Sequence, residues 1–150
     1  MKNLVTFLAI IFSIYCHAQK TKSKVTYTYS FTVPMLGVYE DLVIVGTKAN
    51  YSYKEEREKK KQTKDFTLSK KEVKNLEQSI KENSFATIRQ EISDTGGPDG
   101  SFYSISVKKG KDEVEKVSQK IIKEEVVRWR NMVKVFEDII KTHVDFTDEK

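Results

Sequence analysis

Apolar and polar positions alternate strictly in VTYTYSFTV, with Val25, Tyr27, Tyr29, Phe31 and Val33 on one face and Thr26, Thr28, Ser30 and Thr32 on the other. That period of two, carried by β-branched and aromatic residues, predicts a half-buried strand. Pro34 ends it, and PMLG reads as a connection. A second apolar run, YEDLVIVG (39–46), and the stretch TKANYSYKEE (47–56), with Ala49, Tyr51 and Tyr53 on one side, predict a hairpin turning near Gly46-Thr47-Lys48. Residues 54–64 are a block of mixed charge without an apolar face. They read as a solvated loop or a strand running past the sheet edge, with a fourth strand near Phe66.

The period then changes. Val73, Leu76 and Ile80 repeat at helical spacing, which places one narrow stripe against a core. Ser69 with Glu72 three residues later predicts a capping box, and Leu68 with Val73 a hydrophobic staple around it. Asn83 marks the helix end, and Phe85 folds back onto the core. Residues 85–93 read as a short strand. Tyr103, Ile105 and Val107 alternate again, Gly110 marks a turn, and residues 113–120 form the return strand. Val114 and Val117 are three apart there, which predicts a bulge or an exposed edge. Ile122, Val126, Trp129, Val133, Phe136 and Ile140 predict a long closing helix.

Strands bury one face and helices one stripe, so the order predicts an α+β domain: a mainly antiparallel sheet with two amphipathic helices packed on one face. With 150 residues the chain has the length of one domain. The domain spans residues 25–143, with a flexible basic leader at 19–24 and a polar tail at 144–150.

The first eighteen residues stand apart. Lys2 begins an apolar run from Leu4 to Tyr15 of about a dozen residues, too short for a comfortable membrane span. Cys16-His17-Ala18 places small residues before a cleavage point at Gln19. This is the pattern of a secretory signal peptide and predicts an exported, periplasmic or secreted protein. Tyr15 stands where a lipobox has a small residue, which argues against anchoring through Cys16. Cleavage after Ala18 removes the single cysteine and His17, leaving His143 alone. That excludes a multi-histidine zinc site within one chain and any disulfide, so no metal or other cofactor is expected. His143 itself reads as a helix-end residue facing the negative end of the helix dipole.

Charge adds little. The 27 Lys and Arg residues less Lys2 leave 26 against 22 Asp and Glu. Three glutamates interrupt the basic block and no aromatics interleave, so nucleic-acid binding is not expected. The acid pairs Glu40-Asp41 and Glu124-Glu125 read as solvated neighbours and not as acid–base machinery.

DTGGPDGSFYSISV (94–107) carries the densest cluster of turn residues. It lacks the phosphate-loop pattern, the dinucleotide glycine spacing and a calcium loop's closing glutamate. It reads as a loop delivering a strand. Exposed loops carry function disproportionately, which makes Asp94, Pro98, Asp99 and Ser101 candidate partner-binding residues. An aromatic patch on the Tyr51 and Tyr53 strand is the other candidate. Such a patch would favour a binding module, and convergent buried carboxylates would favour an enzyme. The expectation is a monomeric, non-enzymatic binding or accessory domain with a protein partner in the cell envelope.

Pro34, Tyr39, Leu42, Ile44, Tyr51, Leu68-Ser69, Glu72-Val73, Leu76, Phe85 and Asp99-Gly100-Ser101 through Val107 form a pattern that resembles an uncharacterised family of small exported bacterial α+β proteins. Gly46-Thr47-Lys48-Ala49 departs from it, where that family has an acid-glycine turn. The order cap, helix, strand, hairpin, helix and the strand Pro98–Val107 are also similar to emfourin-type inhibitors of thermolysin-like metallopeptidases. That second resemblance implies an inhibitor of a secreted metallopeptidase.

Overall fold

A computed structural model describes residues 24–91 and 100–145. The proposed signal peptide, most of the basic leader, and Asp94, Pro98 and Asp99 lie outside those residues. The strands are β1 (Val25–Val33), β2 (Val38–Val45), β3 (Lys48–Glu55), β4 (Lys60–Thr67), β5 (Phe102–Lys109) and β6 (Asp112–Val117). They form one antiparallel sheet in the order β4-β3-β2-β1-β5-β6. Two helices, α1 (Lys70–Glu82) and α2 (Val126–His143), complete the α+β domain.

The register explains why one face is covered. Tyr51, Leu42, Tyr29 and Ile105 lie side by side across four strands, and Ala49, Ile44 and Tyr27 form the next row. Cross-strand partners share a face, so these buried residues make one apolar surface. Leu76 of α1 and Trp129, Met132, Phe136, Ile139 and Ile140 of α2 belong to the same core. Phe136 stacks on Tyr29 with ring centres 5.5 Å apart. The opposite face carries Thr26, Thr28, Ser30, Ser52, Ser104 and Ser106, the polar half of each alternation.

The charged block at 54–64 is a solvated connection only at 56–59, an exposed turn; the rest lies in paired strands, which include the fourth strand expected near Phe66. The block belongs to the β3–β4 hairpin, and Lys60, Lys61 and Lys64 lie on the edge strand, where lysines discourage pairing with another chain. Of the segment 85–93, the described residues 85–91 do not form a strand. Phe85–Thr87 is a 3-10 turn, and only Gln90 bridges, to Ile121. β6 pairs with β5 without a bulge: Val114 opposes Val107 on the inner face, and Val117 opposes Ser104 on the outer one. The break in alternation therefore reflects an edge strand. Ile122 precedes α2, separated from it by a 3-10 turn. Gly37 needs to be glycine, because its φ is +64° and a Cβ there would lie 2.8 Å from Glu56 Cβ.

The capping box of α1 forms as its spacing requires. The Ser69 N–H donates to Glu72 Oε2 at 2.7 Å, and the Glu72 N–H donates to Ser69 Oγ at 3.2 Å. His143 is the last residue of α2. It stacks on Phe66 and its Nε2 lies 2.6 Å from Glu72 Oε1, tying the two helices together. The Ser69 hydrogen bonds pull the Glu72 carboxyl from 4.5 down to about 2 against the opposing effect of burial, with His143 adding to them. A depressed carboxyl stabilises the fold above its unfolded value and loses that contribution as pH falls from 4.5 toward 2. Glu72→Gln should cost about 1 kcal/mol near neutrality and flatten the loss of stability below pH 4.5. Urea midpoints across that range measure it; parallel pH profiles for the two proteins would contradict it.

Candidate functional site

Beyond the fully buried rows, the next row of the same sheet face is Tyr53, Glu40, Phe31 and Tyr103. These side chains are only half-buried. One flank of α2 runs past them and leaves an opening between helix and sheet. A cavity of about 440 Å³ lies there, lined by Tyr29, Phe31, Glu40 and Tyr103 from the sheet and Glu137, Ile140 and Lys141 from the helix. Tyr103, Glu137 and Lys141 also line a larger groove of about 750 Å³. Its floor includes Ile121, Val126, Trp129 and Val133, its α2 rim carries Arg130, Lys134 and Asp138, and Ser101 and Ser118 line it too. Cavity and groove are thus neighbours along α2, with Tyr103, Glu137 and Lys141 lining both.

Local order comes from the sheet and from one hydroxyl. The Tyr103 N–H donates to Ser118 Oγ at 2.9 Å, which fixes the wall where β5 begins. Phe31 and Tyr103 lie with ring centres 4.8 Å apart and tilted by 34°, and Tyr29 is 6.1 Å from Tyr103. Such tilted contacts suit the ring quadrupoles and keep ring faces available at the edge of the cluster.

Glu40 is the chemically unusual residue. β2 alternates so that Glu40 shares the inner face with Leu42 and Ile44, while Asp41 points outward. The Tyr51 hydroxyl donates to Glu40 Oε1 at 2.9 Å. Burial pushes the Glu40 carboxyl up, Glu137 and Asp41 push it further, and only the Tyr51 hydrogen bond opposes them. Burial likewise raises Tyr29 and Tyr103, with Glu40 and Glu137 adding to both.

The two acid pairs read as solvated are both divided by the fold. Glu40 turns inward while Asp41 does not, and Glu125 is buried beside an exposed Glu124. Burial pushes the Glu125 carboxyl up, but Arg89 and Arg128 outweigh it and hold the group below its usual range. That cluster is a structural tie. Arg128 donates to Glu125, to the Asn83 and Ser84 carbonyls and to Thr87 Oγ1, linking α2 to the end of α1.

The candidate residues fare unevenly. Tyr51 is fully buried at 0% exposure, so it is a core residue and not part of an exposed aromatic patch. The reason is register: Tyr51 lies beside Leu42 under the helices. Tyr53 is half-buried next to Glu40, with its hydroxyl donating to Glu55. Ser101 is exposed and lines the groove. Sequence reasoning missed Glu40, Phe31, Tyr103, Glu137 and Lys141 as a set. The available signal was an acid at an inward position of β2, two residues before Leu42. Among the described residues, no group of three His, Cys, Asp or Glu side chains is placed to hold a metal, and no helix is long and apolar enough to cross a membrane. Comparison of the chain with protein-family models and with curated proteins found no match.

Proposed function

We propose that the protein is an exported, non-enzymatic binding domain of the bacterial cell envelope that holds a protein partner along the α2 groove. The observation that carries this reading is the groove itself, with an apolar floor, the half-buried Tyr103 beside it and charges of both signs along its rim. Apolar floor with a polar rim is the anatomy of a protein interface. Arg130 and Lys134 are followed along the same helix by Glu137, Asp138 and Lys141, and such mixed charge suits a polypeptide better than a uniformly charged polymer. The signal-peptide pattern of residues 1–18 supports export. The resemblance to metallopeptidase inhibitors makes a secreted metallopeptidase the first partner to try.

The test is capture from envelope extract with the exported chain and with its Arg130→Glu/Lys134→Glu variant. Both positions are exposed, so the fold should persist. A stoichiometric partner retained by the wild type and lost by the variant supports the reading; equal retention contradicts it.

A second reading, carboxylate acid–base chemistry, is favoured by one observation: Glu40 and Glu137 line one cavity, and Glu40 is held above its ordinary value chiefly by burial. The two readings part on whether the captured partner is consumed. Its intact mass after incubation decides, with an unchanged mass supporting binding.

A further inference from the structure

We propose that the cavity around Glu40 is an ammonium pocket, which takes the side chain of a lysine from the protein partner between the Glu40 and Glu137 carboxylates and against the rings of Phe31 and Tyr103. This rests on the reading that the groove holds a protein, and it names the anchor that such a partner must supply.

Charge is the first argument. Among the described residues Glu40 forms no ion pair, and its one hydrogen bond comes from the uncharged Tyr51 hydroxyl. A half-buried carboxylate without a counter-charge is costly, and a second acid on the same cavity raises the cost. Lys141 is the single cation on the lining. It stands four residues after Glu137, yet it pairs with neither acid and lies on the exposed flank of α2. Acidic side chains thus outnumber basic ones on the cavity lining by two to one. An incoming cation relieves that imbalance, whereas an anion would be repelled.

The rings are the second argument. Phe31 and Tyr103 meet at 4.8 Å beside the carboxylate, so aromatic surface and negative charge converge on one volume. Ring faces attract cations, and more strongly where water is partly excluded. A lysine fits this better than an arginine, because its compact ammonium sits on a slim apolar stem that the rings can line. The third argument is adjacency: Tyr103, Glu137 and Lys141 line both the cavity and the groove, so a segment lying in the groove passes beside the cavity.

The probes are Nα-acetyl-lysine methylamide and its Nε-acetylated analogue, titrated into the exported chain while NMR follows the ring signals of Phe31 and Tyr103. The charged compound should shift both sets of signals saturably and the neutral one should not. Glu40→Gln retains an oxygen for the Tyr51 hydroxyl and should weaken binding about tenfold or more. Glu137→Gln, on the exposed helix flank, should weaken it by a smaller factor without touching the fold. Equal shifts from both compounds, no shift from either, or undiminished binding by Glu40→Gln would overturn the pocket. Failure here with capture still dependent on Arg130 and Lys134 removes the ammonium pocket and leaves the groove standing. Lysine binding without any rim-dependent capture removes the groove's protein partner instead.

Discussion

Replacing Phe136 with alanine is expected to cost about 3–5 kcal/mol, a large fraction of the total stability of a domain this size. Phe136 has no exposed surface and stacks on Tyr29 at the point where α2 meets the centre of the sheet. Truncation removes the ring's burial and leaves a void under Met132 and Ile140, which the surrounding rows cannot fill without moving β1. Val127, on the same helix, is 70% exposed, and its alanine variant should stay within about 0.5 kcal/mol of the wild type. Urea unfolding of both variants checks the pair. Similar losses would mean that α2 does not pack as described.

The second large effect concerns Arg128. Its side chain is 31% exposed, and its guanidinium serves Glu125, two carbonyls at the end of α1 and the Thr87 hydroxyl. Arg128→Ala removes all of these at once and strips the nearest cation from a carboxylate that is only 7% exposed. The expected loss is about 2–4 kcal/mol. Lysine should restore only part of it, because a single ammonium cannot reproduce the fork. Arg89 also pairs with Glu125 but is 66% exposed, so Arg89→Ala should cost no more than about 1 kcal/mol. If the two alanine variants were equally stable, Arg128 would not be the tie between the helices.

Local chemistry made much of this fold legible. The alternation at Tyr27 and Tyr29 and the Ser69–Glu72 box are each complete within a dozen residues, the stripe from Val126 to Ile140 lies within α2 itself, and each element formed accordingly. The charged block failed to announce the β3–β4 hairpin because an edge strand needs no apolar face. Residues 85–93 carry strand-like spacing, but the chain curls there to bury Phe85 and Ile88 after α1. The site was harder to see for a different reason. Phe31 and Tyr103 sit on faces that the sequence correctly turned inward, yet whether such a residue is core or groove depends on where α2 passes the sheet. Glu40 was legible in principle: Leu42 and Ile44 fix the inward parity of β2, and that parity carries Glu40 with them. Reading Glu40 and Asp41 as a pair hid it, because adjacent residues on a strand face opposite ways.

The central claim is that a partner occupies the groove beside α2, on the covered side of the sheet. The most direct measurement places a photo-crosslinking amino acid at Lys134 on the groove rim, or at Thr63 on the open face, and illuminates the chain of residues 19–150 in envelope extract. Both positions are exposed, so neither substitution disturbs the core. A single crosslinked protein from position 134 and none from position 63 is the predicted result. Crosslinking from position 63 alone would place the working surface on the bare face of the sheet and contradict the account.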